Sequence, residues 1–258
     1  MTLDVDLAFQ SALKNASRTG PYIMAISPWQ FKNVNTSSGS WVAYSDTLFS
    51  QRFTSLVTGG ISPDMIELLT WNDYGESHYL RKLPSTTESD PDYITYADGM
   101  QNYVQNYSHN PWRIMAKYYI AWWKTGSPPQ ITQDQVVFWY RTHPAAAKCT
   151  RQPYMTISGS EYPVDGVFAW ALVQSAARIE MDVGSNTNWT FHANGSGPVV
   201  NMVPFPTSLS AGGTTPAVRI VRDNAVVQSA QGALPITSAC AWYNFNPVVT
   251  LAGTGVNK

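Results

Sequence analysis

Apolar residues in the first half of the chain alternate between helical spacing and short continuous runs. Helical spacing between positions 4 and 18, closed by a Gly-Pro pair, predicts a helix there. The continuous apolar run at 22–27 predicts a short buried strand. A second helix is predicted from an N-cap at Ser45 to the glycines at 59–60, and a second strand at 65–71. Helix, strand, helix, strand, with both strands apolar throughout, is typical of a parallel sheet buried on both faces.

The second half of the chain follows a different pattern. One more helix is predicted with Asn110 as its N-cap and Pro111 at its first position, and GSPP at 126–129 marks a predicted domain boundary. Beyond it come short β-rich runs separated by turn residues: QVVFWYRTH, GVFAWALV, PAVRIVR and AVVQSA. We therefore expect an α/β domain over 1–126 and an all-β domain, a β-sandwich, over 130–258.

Composition narrows the possible partners. Hydrophobic residues make up 44% of the chain and charged residues 13%, and the formal net charge is -1. Lys and Arg are scattered without a basic stripe, so the electrostatic driving force for nucleic-acid binding is missing. No window approaches the roughly 20 consecutive apolar residues that a membrane-spanning helix needs. We expect neither nucleic acid nor membrane as a partner.

The cysteines and sequons favour secretion. Cys149 and Cys240 are the only cysteines, and a single disulfide is the simplest interpretation, because no C-x-x-C pair or His partner suggests a metal. Sequons suited to N-glycosylation occur at Asn15, Asn35, Asn106, Asn188 and Asn194. The N-terminal residues lack the basic and apolar regions of a signal peptide. A secreted chain without that signal suggests that its beginning is missing.

Two carboxylates follow the second predicted strand. Asp73 and Glu76 lie three residues apart, directly after the apolar run that ends in Trp71. In parallel α/β folds, the chemistry lies at the carboxyl ends of the strands. Glycoside hydrolysis commonly needs two carboxyl groups, one protonated and one ionised, and aromatic neighbours supply the contrasting surroundings that this split requires. This pair is the strongest candidate for catalysis.

The alternative for this pair is structural. Asp73 would then cap the following turn, while Glu76 would be solvated or bridge to Arg81. Other chemistries are weaker still: GESHY at 75–79 lacks the second glycine of a serine nucleophile elbow, and no H-E-x-x-H, P-loop or G-x-G-x-x-G motif occurs. We expect no metal and no cofactor.

Three segments carry a resemblance to a known family. SPWQF (27–31), TWNDYGESHY (70–79) and NPWRIMAKYYIAWWKTG (110–126) resemble, in this order, the last part of the catalytic barrel in the fungal α-1,3-glucanases, or mutanases, of glycoside hydrolase family 71. The resemblance continues more weakly into the sandwich, including VVFWYR and the position of Cys149. It implies the C-terminal fragment of a (β/α)8 barrel, comprising about two βα units and a terminal helix, followed by a β-sandwich.

The resemblance also implies residue roles. It gives Asp73 and Glu76 as the carboxylates that hydrolyse α-1,3-glucan with inversion; we take Glu76 as the acid and Asp73 as the base, although the two are exchangeable. Trp29 is expected to stack on a glucose ring, with core packing as its alternative. The residues expected to bind substrate are Trp29, Trp71, Asn72, Tyr74 and His78. The histidines expected to be structural or on the surface are His109, His143 and His192.

Six barrel strands, and an acidic residue near the start of the family's barrel, have no counterpart in the chain. We therefore expect Met1 to be an internal start in a truncated gene or a fragment. The first hypothesis is a secreted or cell-wall, monomeric endo-α-1,3-glucanase, of which this chain is a fragment that need not be active by itself. The second is a non-catalytic α-glucan-binding protein that uses an aromatic patch on the sandwich, formed by residues such as Trp139, Trp170 and Trp242.

Overall fold

A computed structural model describes residues 3–96 and 99–255 of the protein. The helices are α1 (Asp4–Asn15), α2 (Leu48–Val57), α3 (Gln101–Val104) and α4 (Trp112–Thr125). The strands are β1 (Ile23–Ile26), β2 (Phe31–Lys32), β3 (Trp41–Val42), β4 (Met65–Leu68), β5 (Gln135–Tyr140), β6 (Gly166–Leu172), β7 (Ala177–Val183), β8 (Asn186–Ala193), β9 (Val199–Pro204), β10 (Ala217–Arg222), β11 (Ala225–Gln231) and β12 (Val248–Gly253).

The first half of the chain holds one parallel strand pair. β1 pairs with β4 in a register that runs from Ile23 opposite Met65 to Ile26 opposite Leu68. The parallel pairing agrees with the sequence prediction, but the prediction that both faces are buried is wrong. Met24 and Ile26 pack in the core, whereas Ile23 and Met65 on the other face are exposed. Among the described residues, α2 and α4 cover only one face of the pair.

Several predicted element ends are also wrong. α2 begins after Thr47, and the Ser45 hydroxyl donates to the Ala43 carbonyl instead of capping the helix. α4 begins after Pro111, and Asn110 makes no side-chain cap. β4 ends at Leu68 rather than residue 71: the Leu69 amide still donates to the Ile26 carbonyl of β1, but from Thr70 on the chain hydrogen-bonds within the following loop. These ends depend on local backbone geometry that composition does not fix.

The second half of the chain forms two four-stranded antiparallel sheets. The strand orders are β12-β5-β6-β9 and β11-β10-β7-β8. The two sheets share one cluster of buried residues, to which β5 contributes Val136, Phe138 and Tyr140. Side chains alternate across a strand, so Val137 and Trp139 project from the opposite face of the same sheet. They join the cluster that also contains the core of the parallel pair and α4.

Two indole nitrogens fix the first of these sheets to the helical half. Trp139 Nε1 donates to the Asp46 carbonyl over 2.8 Å, and Trp170 Nε1 lies 3.2 Å from the Tyr119 hydroxyl on α4. Both tryptophans are fully or almost fully buried. The first sheet is therefore covered on both faces, which explains why every residue of β5 and β6 is buried.

A disulfide joins Cys149 to Cys240 across 91 residues of chain. Thr150 and Arg151 donate backbone hydrogen bonds to the carbonyls of Cys240 and Ala241, so the two segments run side by side. In the chain-entropy account, closing a loop of this length contributes about 4 to 5 kcal/mol. Among the described residues, no helix has both the length and the apolar character to cross a membrane.

Asp46 gives stability a measurable pH dependence. Burial raises the pKa of Asp46 to about 6, although the Val164 amide donates to its carboxylate. Since the ordinary value is 3.8, the folded protein binds more protons than the unfolded chain between these two pH values. The free energy of unfolding therefore falls as pH rises through this window, by about 3 kcal/mol for a shift of this size.

We expect Asp46→Asn to abolish the pH dependence of the free energy of unfolding that comes from Asp46, while keeping an acceptor for the Val164 amide. The free energy of unfolding of the wild type, relative to that of the variant, should fall by about 2.4 kcal/mol between pH 4 and pH 7. Urea denaturation at four pH values in this range measures the difference. Parallel curves for the two proteins would contradict the assignment.

Candidate functional site

The candidate site is the loop that leaves β4. The Thr70 amide donates to the His78 carbonyl over 2.8 Å, and the Leu80 amide donates back to the Thr70 carbonyl over 3.1 Å. The peptide bond between Leu69 and Thr70 is cis. The Phe31 amide, on β2, donates to the Glu76 carbonyl over 3.0 Å. The loop is thus closed on itself and fixed against a neighbouring strand.

Asp73 uses both carboxylate oxygens within the loop. Oδ1 accepts a hydrogen bond from the Glu76 amide at 3.0 Å, which is the turn-capping role considered from the sequence. Oδ2 lies 3.0 Å from Nε2 of His78. The Asp73 amide donates to the Thr70 hydroxyl at 2.9 Å. Asp73 is therefore a capping residue and, at the same time, part of a carboxylate–histidine pair.

Glu76 is held more loosely. Its carboxylate lies 3.8 Å from the Lys32 ammonium and 3.8 Å from His78 Nε2. Arg81, the partner considered from the sequence, instead pairs with Asp92. The side chains of Asp73 and Glu76 are 41% and 36% exposed. Both carboxylates therefore face solvent, at the carboxyl end of the parallel pair.

His78 orients the pair. Its side chain is only 8% exposed, and Nε2 points at the two carboxylates. Nδ1 is buried and makes no hydrogen bond within the described residues. The sequence predicts His78 as a substrate-binding residue, whereas its contact with Asp73 is one that orients a carboxylate. A buried ring beside two exposed carboxylates limits the positions that Asp73 can adopt.

Asp73, Glu76 and His78 each offer one ligand atom, and these atoms lie within 4.8 Å of one another. A divalent cation binds oxygen and imidazole ligands of this kind. However, the Asp73–His78 contact already occupies two of the three groups, and the Lys32 ammonium beside Glu76 would repel a cation. The donor set is explained without a metal.

Two predicted substrate-binding residues are core residues. Trp29 is 1% exposed, and its ring stacks on that of Trp112 at 6.5 Å. Tyr74 is buried against Tyr79, with ring centroids 4.8 Å apart, and donates its hydroxyl to the Lys82 carbonyl. The expectation that these rings contact sugar is wrong for this structure, because packing removes their faces from solvent. Tyr74 and Tyr79 accordingly do not enclose the carboxylates.

Trp71 and Asn72 remain accessible. Trp71 is 55% exposed, and the Arg113 guanidinium lies 5.5 Å from its ring centroid. Asn72 is exposed on the same turn. Thr70 and Trp71 help to line a cavity of about 540 Å³ that reaches α4 at Ile114. Neither carboxylate lines this cavity, so it borders the candidate site without containing it.

The predicted aromatic patch on the sandwich does not form. Trp139 and Trp170 are 2% and 0% exposed because they face the helical half. Only Trp242 is partly exposed, with the Arg151 guanidinium 6.0 Å from its ring centroid. A single indole covered by a cation does not offer the flat surface that the binding-protein hypothesis invoked.

The remaining predicted residues lie away from the carboxylates. His109 and His143 are buried, and His192 is exposed on β8. Burial lowers the pKa of His109 to about 3 and that of His143 to about 4, so both are neutral near pH 7. The five sequon asparagines, Asn15, Asn35, Asn106, Asn188 and Asn194, are all exposed.

The sequence reasoning missed Lys32 and Thr70. Lys32 lies at the start of a polar stretch, and its two-residue strand is too short to leave a periodic signal. Thr70 could have been found as a hydroxyl three residues before Asp73, because Ser and Thr commonly satisfy backbone amides at that spacing.

The chain belongs to glycosyl hydrolase family 71, whose family model matches residues 1–257. It is 31% identical over 242 residues to a mutanase of Penicillium rubens, covering 92% of this chain and 49% of the relative. It is 30% identical to the glucan endo-1,3-alpha-glucosidase agn1 of Schizosaccharomyces pombe, covering 93% of this chain and 52% of the relative.

An ascus wall endo-1,3-alpha-glucanase of Schizosaccharomyces pombe is 23% identical, covering 91% of this chain and 54% of the relative. The chain thus spans about half the length of the curated relatives that it matches. No solved structure matches it. The match extends through both halves of the chain and is not confined to the carboxylate loop.

The loss of stability on replacing a tryptophan by alanine should distinguish the buried Trp29 from the exposed Trp71. We expect Trp29→Ala to lower the free energy of unfolding by about 3 to 5 kcal/mol, because it empties a buried aromatic stack. The matched change Trp71→Ala should cost less than about 1 kcal/mol, since its ring is exposed and holds mainly a cation–π contact. Denaturant unfolding at pH 7 compares them. Equal losses would contradict the placement of Trp29.

Proposed function

We propose that this chain is the part of an endo-acting α-1,3-glucanase that carries two catalytic carboxyl groups, with Glu76 as the proton donor and Asp73 as its partner. The observation that carries the proposal is the Asp73–Glu76–His78 cluster at the carboxyl end of a parallel strand pair. The names of the family 71 relatives support α-1,3-glucan as the substrate. A secreted or cell-wall, monomeric enzyme is part of the same proposal.

The contacts favour Glu76 for the proton transfer. A proton donor must approach the glycosidic oxygen freely. Both Asp73 oxygens are already engaged, by the Glu76 amide and by His78, whereas the Glu76 carboxylate has only two contacts at 3.8 Å. Glu76 can therefore turn toward a substrate without breaking a short hydrogen bond. Asp73 is the better-fixed group of the two.

We further propose that residues 1–126 form two βα units and the terminal helix of a (β/α)8 barrel, and that residues 130–258 form a β-sandwich. The parallel pairing and the exposed Ile23 and Met65 face support the first part, since the strands of a barrel direct one face toward its interior. The two antiparallel sheets on one core support the second.

Removing either carboxylate tests the catalytic proposal. We expect Glu76→Gln and Asp73→Asn each to reduce the release of reducing ends from insoluble α-1,3-glucan at least about 100-fold, with glucan binding retained. Asp223→Asn, at an exposed turn between β10 and β11, is the matched control and should leave release unchanged. Release unaffected by both site variants would refute the assignment. Binding without any release by the wild-type chain would favour the glucan-binding alternative.

The stereochemical course is a separate test. Inverting glycosidases hold their two carboxyl groups roughly 6.5 to 9.5 Å apart, and retaining ones about 5 to 5.5 Å. Oxygens of Asp73 and Glu76 lie within 4.8 Å, so inversion by this pair requires the two groups to separate or a further carboxyl to take part. We propose inversion, which the family resemblance implies. NMR should then show the β-anomer as the first product; the α-anomer would refute inversion.

A further inference from the structure

The hairpin formed by β2 and β3 lies directly against the carboxylate loop. Its backbone reaches the loop through the Phe31 amide, which donates to the Glu76 carbonyl at 3.0 Å. Its side chains reach the loop through Lys32, whose ammonium lies 3.8 Å from the Glu76 carboxylate. Any sugar ring bound beside Glu76 would therefore meet this hairpin.

Trp41 lies on the same side of the hairpin as Lys32. The two residues are directly opposite each other in the antiparallel register, as are Phe31 and Val42. Opposed residues in an antiparallel pair project from the same face, with Cβ atoms about 5 Å apart. Phe31 and Val42 are buried, whereas Lys32 and Trp41 are partly exposed. Trp41 is therefore the cross-strand neighbour of the lysine that contacts Glu76.

Trp41 lacks the contacts that explain the other tryptophans near the centre of the molecule. Trp29 and Trp112 stack on each other, and Trp139 and Trp170 donate hydrogen bonds from Nε1. Within the part of the chain that the structure describes, the Trp41 indole has no ring partner, cation partner or side-chain hydrogen bond. None of the contacts that hold these four tryptophans therefore accounts for the partly exposed Trp41 indole.

The hairpin is held rigidly for a segment with so little sheet. The buried amides of Asn33 and Gln152 exchange two hydrogen bonds, at 3.0 and 3.2 Å. On the other strand, the Val42 amide donates to the Ser158 carbonyl at 2.8 Å. Lys32 and Trp41 therefore sit on a base that is fixed before any ligand arrives, which lowers the entropy cost of binding.

We propose that Trp41 and Lys32 form a glucosyl-binding subsite beside Glu76, with the indole stacking on the apolar C–H face of a glucose ring and the ammonium donating to its hydroxyls. This inference rests on the proposed function and names two substrate-binding residues for the same site. An aromatic face suits a pyranose ring because the ring presents flat apolar surface, while the lysine supplies three donors for its edge.

The test measures binding of soluble α-1,3-linked glucose oligosaccharides to the 258-residue chain by calorimetry. We expect Trp41→Ala to weaken binding about tenfold, which is typical of losing one aromatic contact, and Trp41→Tyr to restore most of the affinity. Lys32→Gln should weaken binding as well. Trp189→Ala removes an exposed indole on β8 and is the matched control, with no expected change.

Thermal unfolding of each variant separates binding from folding. Trp41→Ala should lower the unfolding temperature by less than Trp29→Ala does, because Trp41 is partly exposed and Trp29 is buried. Unchanged affinity in both Trp41→Ala and Lys32→Gln would overturn the subsite while leaving the proposed function intact if Glu76→Gln still abolishes release. A wild-type chain that neither binds nor cleaves α-1,3-glucan would overturn both. If Trp41→Ala fails to fold, the affinity of Lys32→Gln decides: weaker binding supports the subsite, and unchanged binding overturns it.

Discussion

The structure depends on one sheet being buried on both faces. Alternate residues of β5 and β6 enter two separate cores, so Val136 packs between the antiparallel sheets while Trp139 packs against the helical half. This double burial gives α4 and the parallel pair a fixed surface to pack on, although the pair alone has only two strands. This arrangement also fixes the position of the carboxylate loop, because the loop follows β4 directly.

The site combines well-fixed and loosely held groups. Asp73 and His78 are bound to each other and to the loop, while Glu76 and Lys32 face solvent at longer distances. Rigid support beneath a movable reacting group is a common arrangement in enzymes, because reacting groups must approach their substrate and their neighbours must not. The loosely held Glu76 therefore fits the proposed proton transfer, and the fixed Asp73 and His78 fit a supporting role.

Hydrophobic spacing in the sequence predicted much of the fold. Helical spacing coincides with α1, α2 and α4, and continuous apolar runs coincide with β1 and β5. The carboxylate loop followed from its position after a strand. Exposure did not follow: Trp29 and Trp71 each lie shortly after a strand, yet one is stacked in the core and the other faces solvent. Both contact α4, but Trp29 stacks on the buried Trp112, whereas Trp71 lies against the Arg113 guanidinium at the surface. These partners are distant in sequence, and no local pattern records them.

The Asn33–Gln152 pair has a consequence for where the protein can work. Both amides are uncharged, and their remaining groups are satisfied by Tyr243 and Asn35. Neither acid nor salt weakens such a pair in the way that they weaken an exposed ion pair such as Lys32 with Glu76. These neutral hydrogen bonds therefore hold the hairpin in acidic or saline surroundings, where surface charge pairs are weakened.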